Sequence, residues 1–288
     1  MYAVMGITGR VGGAAARELL RQGKTVRTLV RDPKRASEWA ARGVEVQEGD
    51  WNDPAAVASA IDGAEGAYLM VPPLFAPKPG FPEAQAVIAS YQEALRRTRP
   101  GRVVVLSSIG SEKTSGLGLI TQTHMIEQGL KDVDVPIAFV RAGSFFENYV
   151  ALLETAAATG ILYSFYAPVD RNVPMIATED IGKEVAKLLT TDWSGKRIIE
   201  LGSPASPNEV AQAAAEVLGR SVIAQAVPRE RWSATIESFG LPAGGSGPYE
   251  EMCDSINSGW ITFGAPGTER VDGTTSAKQV FEAARKNG

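Results

Sequence analysis

The sequence has very few of the side chains from which disulfides and zinc sites are built. Among its 288 residues there is one cysteine, Cys253, and one histidine, His124. One cysteine excludes an internal disulfide, and a single histidine beside it leaves too few ligands for a zinc site of His and Cys. We therefore predict neither a disulfide framework nor a metal site. Cys253 lies on a predicted helix without a basic neighbour, so we interpret it as structural.

An excess of positive charge and a long apolar run are also missing. Twenty-nine basic residues against 33 acidic ones give a net charge of −4, without a basic run interleaved with aromatic residues. This composition argues against nucleic-acid binding. No apolar run approaches the roughly 20 residues that cross a bilayer, and a strand predicted from Tyr2 onward argues against a signal peptide. We expect a cytoplasmic protein that does not associate with membranes.

Glycine, by contrast, is plentiful, and three glycines follow the first predicted strand at intervals of three residues. The apolar run Tyr2–Met5 leads into Gly6, Gly9 and Gly12, and a helical pattern begins at Val11. A strand that turns into a helix on such glycines can place backbone N–H groups and the positive end of the helix dipole against a phosphate. Turns with this spacing also occur without a ligand, so this stretch alone leaves both interpretations open.

A charged turn follows the second predicted strand, Thr25–Val30. Its first residue, Arg31, lies about 20 positions after the glycines, where dinucleotide-binding sheets meet the adenosine ribose. An acid at this place holds a free 2′-hydroxyl, whereas an arginine accommodates a 2′-phosphate. We interpret Arg31 as a phosphate ligand and predict NADP(H) in preference to NAD(H). The alternatives are a solvated turn, or Asp32 as the partner of Arg31 or as the acid itself.

Strands and helices alternate over the first half of the chain. Predicted strands at 44–47, 67–71, 102–106 and 137–141 are separated by single helices, and most are almost continuously apolar. This pattern is typical of an α/β fold with a doubly wound parallel sheet, in which ligands bind beyond the carboxyl ends of the strands. Asp50, after the third strand, is a candidate acceptor for an adenine amino group, with a turn-forming role as the alternative.

The second half of the chain is less regular. We predict a dinucleotide-binding Rossmann domain over residues 1–148, with residues 173–202 returning to its sheet, and a smaller C-terminal, substrate-side α/β lobe formed by residues 149–172 and 203–288. Within the returning part we predict the strand Val173–Ile176, a helix and the strand Arg197–Leu201.

These features together resemble the NmrA-like branch of the atypical short-chain dehydrogenases/reductases. The resemblance rests on the glycine turn, Arg31, Gly49–Asp50, Ser107–Ser108 and the stretch Arg141–Asn148, which reads Arg-Ala-Gly-Ser-Phe-Phe-Glu-Asn. It extends over nearly the whole chain. It implies an NADPH-dependent oxidoreductase that transfers hydride to a quinone or another small conjugated acceptor. The alternative that it implies is a regulatory protein that binds the dinucleotide without turnover and reports its redox state to a protein partner.

The resemblance also implies which residues meet the dinucleotide and the substrate. The pyrophosphate set is Gly6, Thr8, Gly9, Arg10, Val11 and Gly12. Arg31 would hold the 2′-phosphate, while Asp50 and Trp51 would border the adenine. The ribose and nicotinamide set is Val71, Pro72, Pro73, Ser107, Gly143 and Phe145. We expect Phe146 and Tyr149 at a flat, apolar substrate, although packing in the core is the commoner use of such aromatics. The sequence does not decide the oligomeric state, and a homodimer is one of the alternatives.

One departure from the superfamily concerns the proton donor. Larger relatives carry a Tyr and a Lys four residues apart, with a Glu four residues further on. With Glu127 placed on that Glu, Thr123 and Leu119 occupy the Lys and Tyr positions, and neither can act as the acid. His124 is a candidate because an imidazole can release a proton near neutral pH, with packing as the alternative. Quinone reduction does not strictly require a protein acid, so the departure argues mainly against alcohol dehydrogenation and epimerisation.

Overall fold

Strands and helices alternate along the chain in the computed structural model, which describes residues 1–287. The strands are β1 (Tyr2–Val4), β2 (Val26–Val30), β3 (Glu45–Glu48), β4 (Gly66–Leu69), β5 (Val103–Ser108), β6 (Ile137–Ala142), β7 (Ser144–Phe145), β8 (Ile161–Ser164), β9 (Val173–Ile176), β10 (Lys196–Leu201), β11 (Ser203–Ala205), β12 (Ile223–Ala226) and β13 (Glu269–Val271). The helices are α1 (Arg10–Arg21), α2 (Ser37–Ala41), α3 (Pro54–Ile61), α4 (Pro82–Thr98), α5 (Thr121–Leu130), α6 (Leu153–Thr159), α7 (Thr178–Thr190), α8 (Pro207–Leu218), α9 (Trp232–Ser238), α10 (Gly247–Asn257) and α11 (Ala277–Asn287). Short 3-10 segments cover Pro33–Ala36, Gly118–Ile120, Phe146–Leu152 and Arg229–Arg231.

Eight of these strands form one parallel sheet in the order β13-β10-β6-β5-β4-β1-β2-β3. At its centre β1 pairs with both β2 and β4, so that Tyr2 lies opposite Val26 on one side and Gly66 on the other. The strand order reverses between β1 and β4, and the carboxyl ends of these strands therefore flank a crevice. The prediction of an α/β fold with a doubly wound sheet is confirmed.

Two segments of the second half lie elsewhere than predicted. The prediction that Val173–Ile176 joins the main sheet is wrong, because β9 pairs with β7 and β11 in a separate three-stranded sheet. Conversely, β13 belongs to the stretch assigned to the smaller lobe but pairs with β10 at the edge of the main sheet. The pairing of such short strands is decided by their tertiary neighbours, which local patterning does not report. The division into two domains stays a prediction.

Helices cover both faces of the main sheet. Tyr68 of β4 and Val104 of β5 face the layer of α1 and α7, whereas their neighbours Leu69 and Val105 face the layer of α3, α4 and α5. This alternation explains why the central strands are apolar throughout. Helices α1 and α7 pack very closely, because a Cβ built on Gly182 would lie only 2.4 Å from the Cβ of Ala14.

A third apolar cluster lies outside the main sheet, between β8, α8, α10 and α11. Cys253 is completely buried in it, as are the ring of Phe281 and most of Trp232. Burial raises the pKa of the Cys253 thiol far above its ordinary value. The position agrees with a structural cysteine, since the thiolate is the reactive form.

Candidate functional site

The glycine turn connects β1 to α1 at the carboxyl edge of the sheet. Gly6 has a φ of +69°, and a Cβ on Gly12 would lie 2.3 Å from the carbonyl oxygen of Gly6, so both positions need glycine. A Cβ on Gly9 would have one neighbour within 4 Å, the Gly6 oxygen at 3.2 Å. Thr8, Gly9 and Arg10 are exposed. The turn therefore has a tightly packed inner side and an open outer side.

Helix α1 begins at this open side without a side-chain cap. Gly9 is its N-cap residue, no side chain among residues 1–287 accepts a hydrogen bond there, and no acid occurs in the first turn. The first N–H groups of a helix have no partner within the helix, and the helix dipole makes this end positive. The start of α1 can therefore hold an anionic group such as a pyrophosphate.

The end of β2 provides positive charge beside this turn. Arg31, Lys34 and Arg35 are all exposed, and Arg31 forms no ion pair within the part of the chain that the structure describes. The Asp32 carboxylate accepts a hydrogen bond of 3.0 Å from the Lys34 N–H and so caps the following 3-10 turn. Asp32 is thus occupied with its own turn, and the Arg31 guanidinium is available for a ligand.

The side chains that follow β3 are engaged in hydrogen bonds within the protein. Asp50 Oδ1 accepts hydrogen bonds from the Asn52 backbone N–H at 2.8 Å and from Asn52 Nδ2 at 2.9 Å, the geometry of an Asx turn. This favours the turn-forming alternative for Asp50, although the carboxylate is exposed. The Trp51 indole donates to the Leu29 carbonyl at 3.2 Å, and its ring lies 3.5 Å from the Cβ position of Gly6. Trp51 therefore borders the glycine turn, and its place at the adenine stays a prediction.

A proline-rich loop follows β4 and is fastened to α5. Val71 and Pro72 are half-buried and Pro73 is exposed. The buried Gln122 side chain accepts from the Leu74 N–H at 3.2 Å and donates to the Leu74 carbonyl at 3.0 Å. This amide pair holds the loop at the carboxyl edge. Val71–Pro73 are consequently placed beside the crevice between β1 and β4.

A buried ionic network closes the carboxyl ends of β5 and β6. The Arg141 guanidinium donates to both Glu127 oxygens, at 2.9 and 2.7 Å, and to Glu112 at 3.0 Å. Burial acts to lower the pKa of Arg141, but hydrogen bonding and proximity to these carboxylates raise it above its ordinary value. The Ser107 hydroxyl donates to Glu127 at 2.5 Å and is 3% exposed. It belongs to this network rather than standing free at the edge.

The structure places His124 away from the glycine turn. Its Nδ1 lies 2.9 Å from the Ser111 carbonyl oxygen, which fixes Nδ1 as the protonated nitrogen. The ring lines a shallow groove formed with residues of α4 such as Ile88 and Gln92. Thr123 donates to the Ile120 carbonyl at 2.9 Å and contacts the Ser111 hydroxyl. This placement favours packing for His124, and its catalytic role stays a prediction without geometric support.

The aromatic candidates divide between the edge and the core. Phe145, in β7, and Gly143 before it are half-buried at the end of β6. Phe146 is largely buried and borders a groove of about 470 Å³. This groove is lined by β9, β11 and the start of α11, and no residue of the glycine turn lines it. Tyr149 lies in the third apolar cluster, where its hydroxyl is 3.2 Å from Ser164 Oγ and burial raises its pKa to about 12. Tyr149 therefore has a core environment.

The stretch Gly143–Asn148 connects the glycine turn to α7. Asn148 Oδ1 accepts a hydrogen bond of 3.3 Å from the Arg10 guanidinium. Glu147 Oε1 accepts from the Thr178 N–H at 2.8 Å and from the Thr178 hydroxyl at 2.6 Å, which caps the start of α7. Glu147 and Asn148 belong to the stretch that carries the family resemblance, but the sequence predicts no role for either. Neither residue has a local sequence signal that indicates these contacts, because both partners are distant along the chain.

Residues 1–287 provide neither a membrane-spanning helix nor a cluster of metal ligands. No helix in this part of the chain has the length and apolar character to cross a bilayer. The same residues contain no group of three or more His, Cys, Asp or Glu side chains arranged to hold a metal ion.

The fold and the open glycine turn define a class, the α/β proteins with a Rossmann-type doubly wound sheet and a glycine turn after the first strand. A family model describes the chain more closely. It matches residues 2–258, and the chain belongs to the NmrA-like family.

Relatives of known activity are similar over most of their length. Quinone oxidoreductase 2 of Escherichia coli (strain K12) is 26% identical over 249 residues, which is 85% of this chain and 84% of that protein. The NAD(P)H azoreductase of Xenophilus azovorans is 24% identical over 260 residues, 89% of this chain and 85% of that protein. Among solved structures, Citrobacter sp. triphenylmethane reductase complexed with NADP(H) superimposes with a TM-score of 0.82 at 21% identity, covering 99% of this chain and 100% of the other.

Proposed function

We propose that the protein is an NADPH-dependent reductase that transfers hydride to a small, flat, conjugated acceptor such as a quinone. The observation that carries this proposal is the pairing of an uncapped start of α1 at Gly9 with an exposed, unpaired Arg31 at the end of β2, as described for residues 1–287. One of these features suits a pyrophosphate and the other a 2′-phosphate. The names of the relatives, which include a quinone, an azo and a triphenylmethane reductase, support the substrate class.

Different residues of the carboxyl edge would contact different parts of the dinucleotide. The N–H groups at the start of α1 would hold the pyrophosphate, because Thr8, Gly9 and Arg10 leave that side open. Arg31 would pair with the 2′-phosphate, and Trp51 would border the adenine half. Val71–Pro73, Gly143 and Phe145 would surround the nicotinamide half, since they follow β4 and β6. For Asp50 and Ser107 the structure offers less support, because each already has an internal hydrogen-bond partner.

The proposed reaction does not require a proton or a hydride from a protein side chain. A bound NADPH supplies the hydride, and the proton that completes the reduction can come from water. Thr123 and Leu119 leave the usual acid positions without an acid, and His124 faces the groove between α4 and α5. The protein would therefore act mainly by positioning the two reactants against each other.

The same observation supports a second candidate function. Leu119 stands at the position of the usual acid, and the Thr123 hydroxyl at the neighbouring Lys position is hydrogen-bonded to Ile120 and Ser111, so neither side chain can supply a proton. A protein that binds NADP(H) without turnover and reports its redox state to a partner protein would need only the binding half of the site. The distinction between the two candidates is turnover.

Two measurements test the proposal. Loss of the NADPH absorbance should be followed with a panel of quinones, azo dyes and triphenylmethane dyes, alongside calorimetric titration with NADPH and NADH. We expect NADPH to bind more tightly than NADH and at least one conjugated acceptor to be reduced. Tight binding without any turnover would favour the sensor, and equal or absent binding of both dinucleotides would contradict the proposal.

A further inference from the structure

One carboxylate oxygen at the carboxyl edge is buried without a partner. Glu147 Oε1 accepts two hydrogen bonds from Thr178, but Glu147 Oε2 is shielded from solvent and has no hydrogen-bond partner within residues 1–287. Buried polar atoms are almost always hydrogen-bonded, and those of a carboxylate cost the most when they are not. The second oxygen of Glu147 therefore needs a donor that the described residues do not provide.

The position of Glu147 shows where such a donor would come from. Helix α7 runs from the carboxyl edge of the sheet to the opposite edge, where its Leu189 meets Gly66 at the start of β4. Its first residue, Thr178, which holds Glu147, is therefore at the carboxyl edge. The next residue, Asn148, accepts from Arg10 at the start of α1. Glu147 is thus fastened between the starts of the two helices that flank the glycine turn.

The strand order decides which half of a dinucleotide lies on this side. β2 and β3, with Arg31 and Trp51 after them, lie to one side of β1, whereas β6, which leads into Gly143–Asn148, lies to the other. A carboxylate is repelled by a pyrophosphate, so it suits the uncharged donors of the coenzyme. On the β6 side these donors are the hydroxyls of the nicotinamide ribose and the N–H groups of the nicotinamide carboxamide.

We propose that Glu147 Oε2 accepts a hydrogen bond from an O–H or N–H donor of the nicotinamide half of bound NADP(H), and that Glu147 is a coenzyme-positioning residue held in place by Thr178. This inference rests on the proposed dinucleotide binding. It assigns to Glu147 a role beyond that of capping α7. A pure capping role would need one carboxylate oxygen and would leave the other free to face solvent.

The test uses Glu147→Gln, which keeps an oxygen for the Thr178 donors and replaces the unpaired oxygen by an NH₂ group. A purely structural role predicts unchanged unfolding and unchanged affinity. The proposal predicts an unchanged thermal midpoint together with a loss of NADP⁺ affinity of about 10- to 100-fold by calorimetry, the range of a hydrogen bond to a charged group. Glu154→Gln, which removes an exposed carboxylate from the adjacent helix α6, is the charge-matched control and should bind like the parent protein.

Three ligands separate the possible donors. If the ribose hydroxyls are the donors, Glu147→Gln should weaken both NADP⁺ and 2′-phospho-ADP-ribose, which has the second ribose but no nicotinamide. If the carboxamide is the donor, NADP⁺ alone should be weakened. Both results support the proposal. Binding of 2′,5′-ADP, which lacks the whole nicotinamide half, should be unchanged in either case. Equal affinity of parent and variant for all three ligands would overturn the proposal, as would an equal loss for all three.

A second variant keeps the test decisive if Glu147→Gln fails to fold. Thr178→Val removes the hydroxyl donor but retains the backbone N–H donor, so it loosens the carboxylate without removing it. We expect a smaller loss of affinity with the same ligand pattern. Failure of the parent protein itself to bind NADP⁺ would instead refute the proposed function, and this inference with it.

Discussion

The glycine turn allows a paired test, because its glycines meet different surroundings. At Gly12 a Cβ would lie 2.3 Å from the Gly6 carbonyl oxygen and 2.9 Å from that of Met5. These neighbours are backbone atoms of the turn itself and cannot rotate aside. At Gly9 a Cβ would lie 3.2 Å from the Gly6 oxygen and otherwise face open space. Gly12→Ala should therefore perturb folding, whereas Gly9→Val should perturb ligand binding.

The magnitudes follow from these distances. A Cβ at Gly12 would lie 2.3 Å from the Gly6 oxygen, well inside the 3.0 Å that real Cβ contacts keep, so α1 must move away from the turn. Forced overpacking of this kind costs about 3 kcal/mol, which lowers the thermal midpoint by roughly 6–12 °C. Gly9 has an extended backbone, with φ −92° and ψ 174°, that valine adopts readily. Its replacement should change the free energy of unfolding by about 1 kcal/mol or less, because lost capping and lower chain entropy oppose each other.

The second half of the test is the NADP⁺ affinity of the Gly9→Val variant. A valine side chain at position 9 would stand where a pyrophosphate must approach the N–H groups of α1, and each charge-assisted hydrogen bond lost costs about 1.5–3 kcal/mol. We expect Gly9→Val to fold normally by circular dichroism and to lose at least about tenfold in NADP⁺ affinity by calorimetry. Gly9→Val with parent-like affinity would show that the turn is only structural. A stable Gly12→Ala would contradict the packing argument.

Four other residues carry further predictions. Arg31→Ala should reduce the preference for NADPH over NADH by about 1–3 kcal/mol in calorimetry, whereas Arg97→Ala, another exposed arginine, should leave it unchanged; a preserved preference would remove Arg31 from the 2′-phosphate site. His124→Ala should leave the turnover rate within a few-fold of the parent, because its ring faces the groove between α4 and α5; a tenfold or larger loss would restore it as the acid. Arg141→Met should lower stability by about 3–5 kcal/mol in denaturant unfolding, because Glu127 is left buried without its cation; a stability near that of the parent would contradict the importance of this ion pair. Burial acts to raise the pKa of Asp180, but hydrogen bonds from Thr275 and its neighbours lower it below its ordinary value. The ionised Asp180 carboxylate therefore contributes its full stabilisation above the pKa that it has in the unfolded chain, about 3.9. This stabilisation is lost as the pH falls through the lower pKa of the folded state. Asp180→Asn should destabilise the protein at neutral pH and flatten stability against pH at the acid end, and an unaltered acid profile would contradict this.

The sequence alone was sufficient for features that depend on neighbouring residues. Side-chain period and β-branched residues predicted β1, β2, β5 and β6, and the alternation of strands with helices predicted the doubly wound sheet. The glycine spacing predicted the turn after β1. The pair Asp53–Pro54 is a local signal for a helix start, and Asp53 accepts from the Ala55 N–H at 2.8 Å at the start of α3. Each of these signals acts over a few residues, so it can be interpreted without knowing the rest of the fold.

Only the tertiary structure decided what depends on partners that are distant in sequence. β9 has a strand's pattern, but its sheet is determined by β7 and β11. Glu127 and Arg141 form an ion pair because α5 packs beside β5 and β6, and the Ser107 hydroxyl donates a hydrogen bond to the same carboxylate. Glu147 has no distinctive local signal, and its environment exists only because α7 begins beside it. Local propensity cannot specify such contacts, since burial and hydrogen-bond partners arise only when distant elements meet.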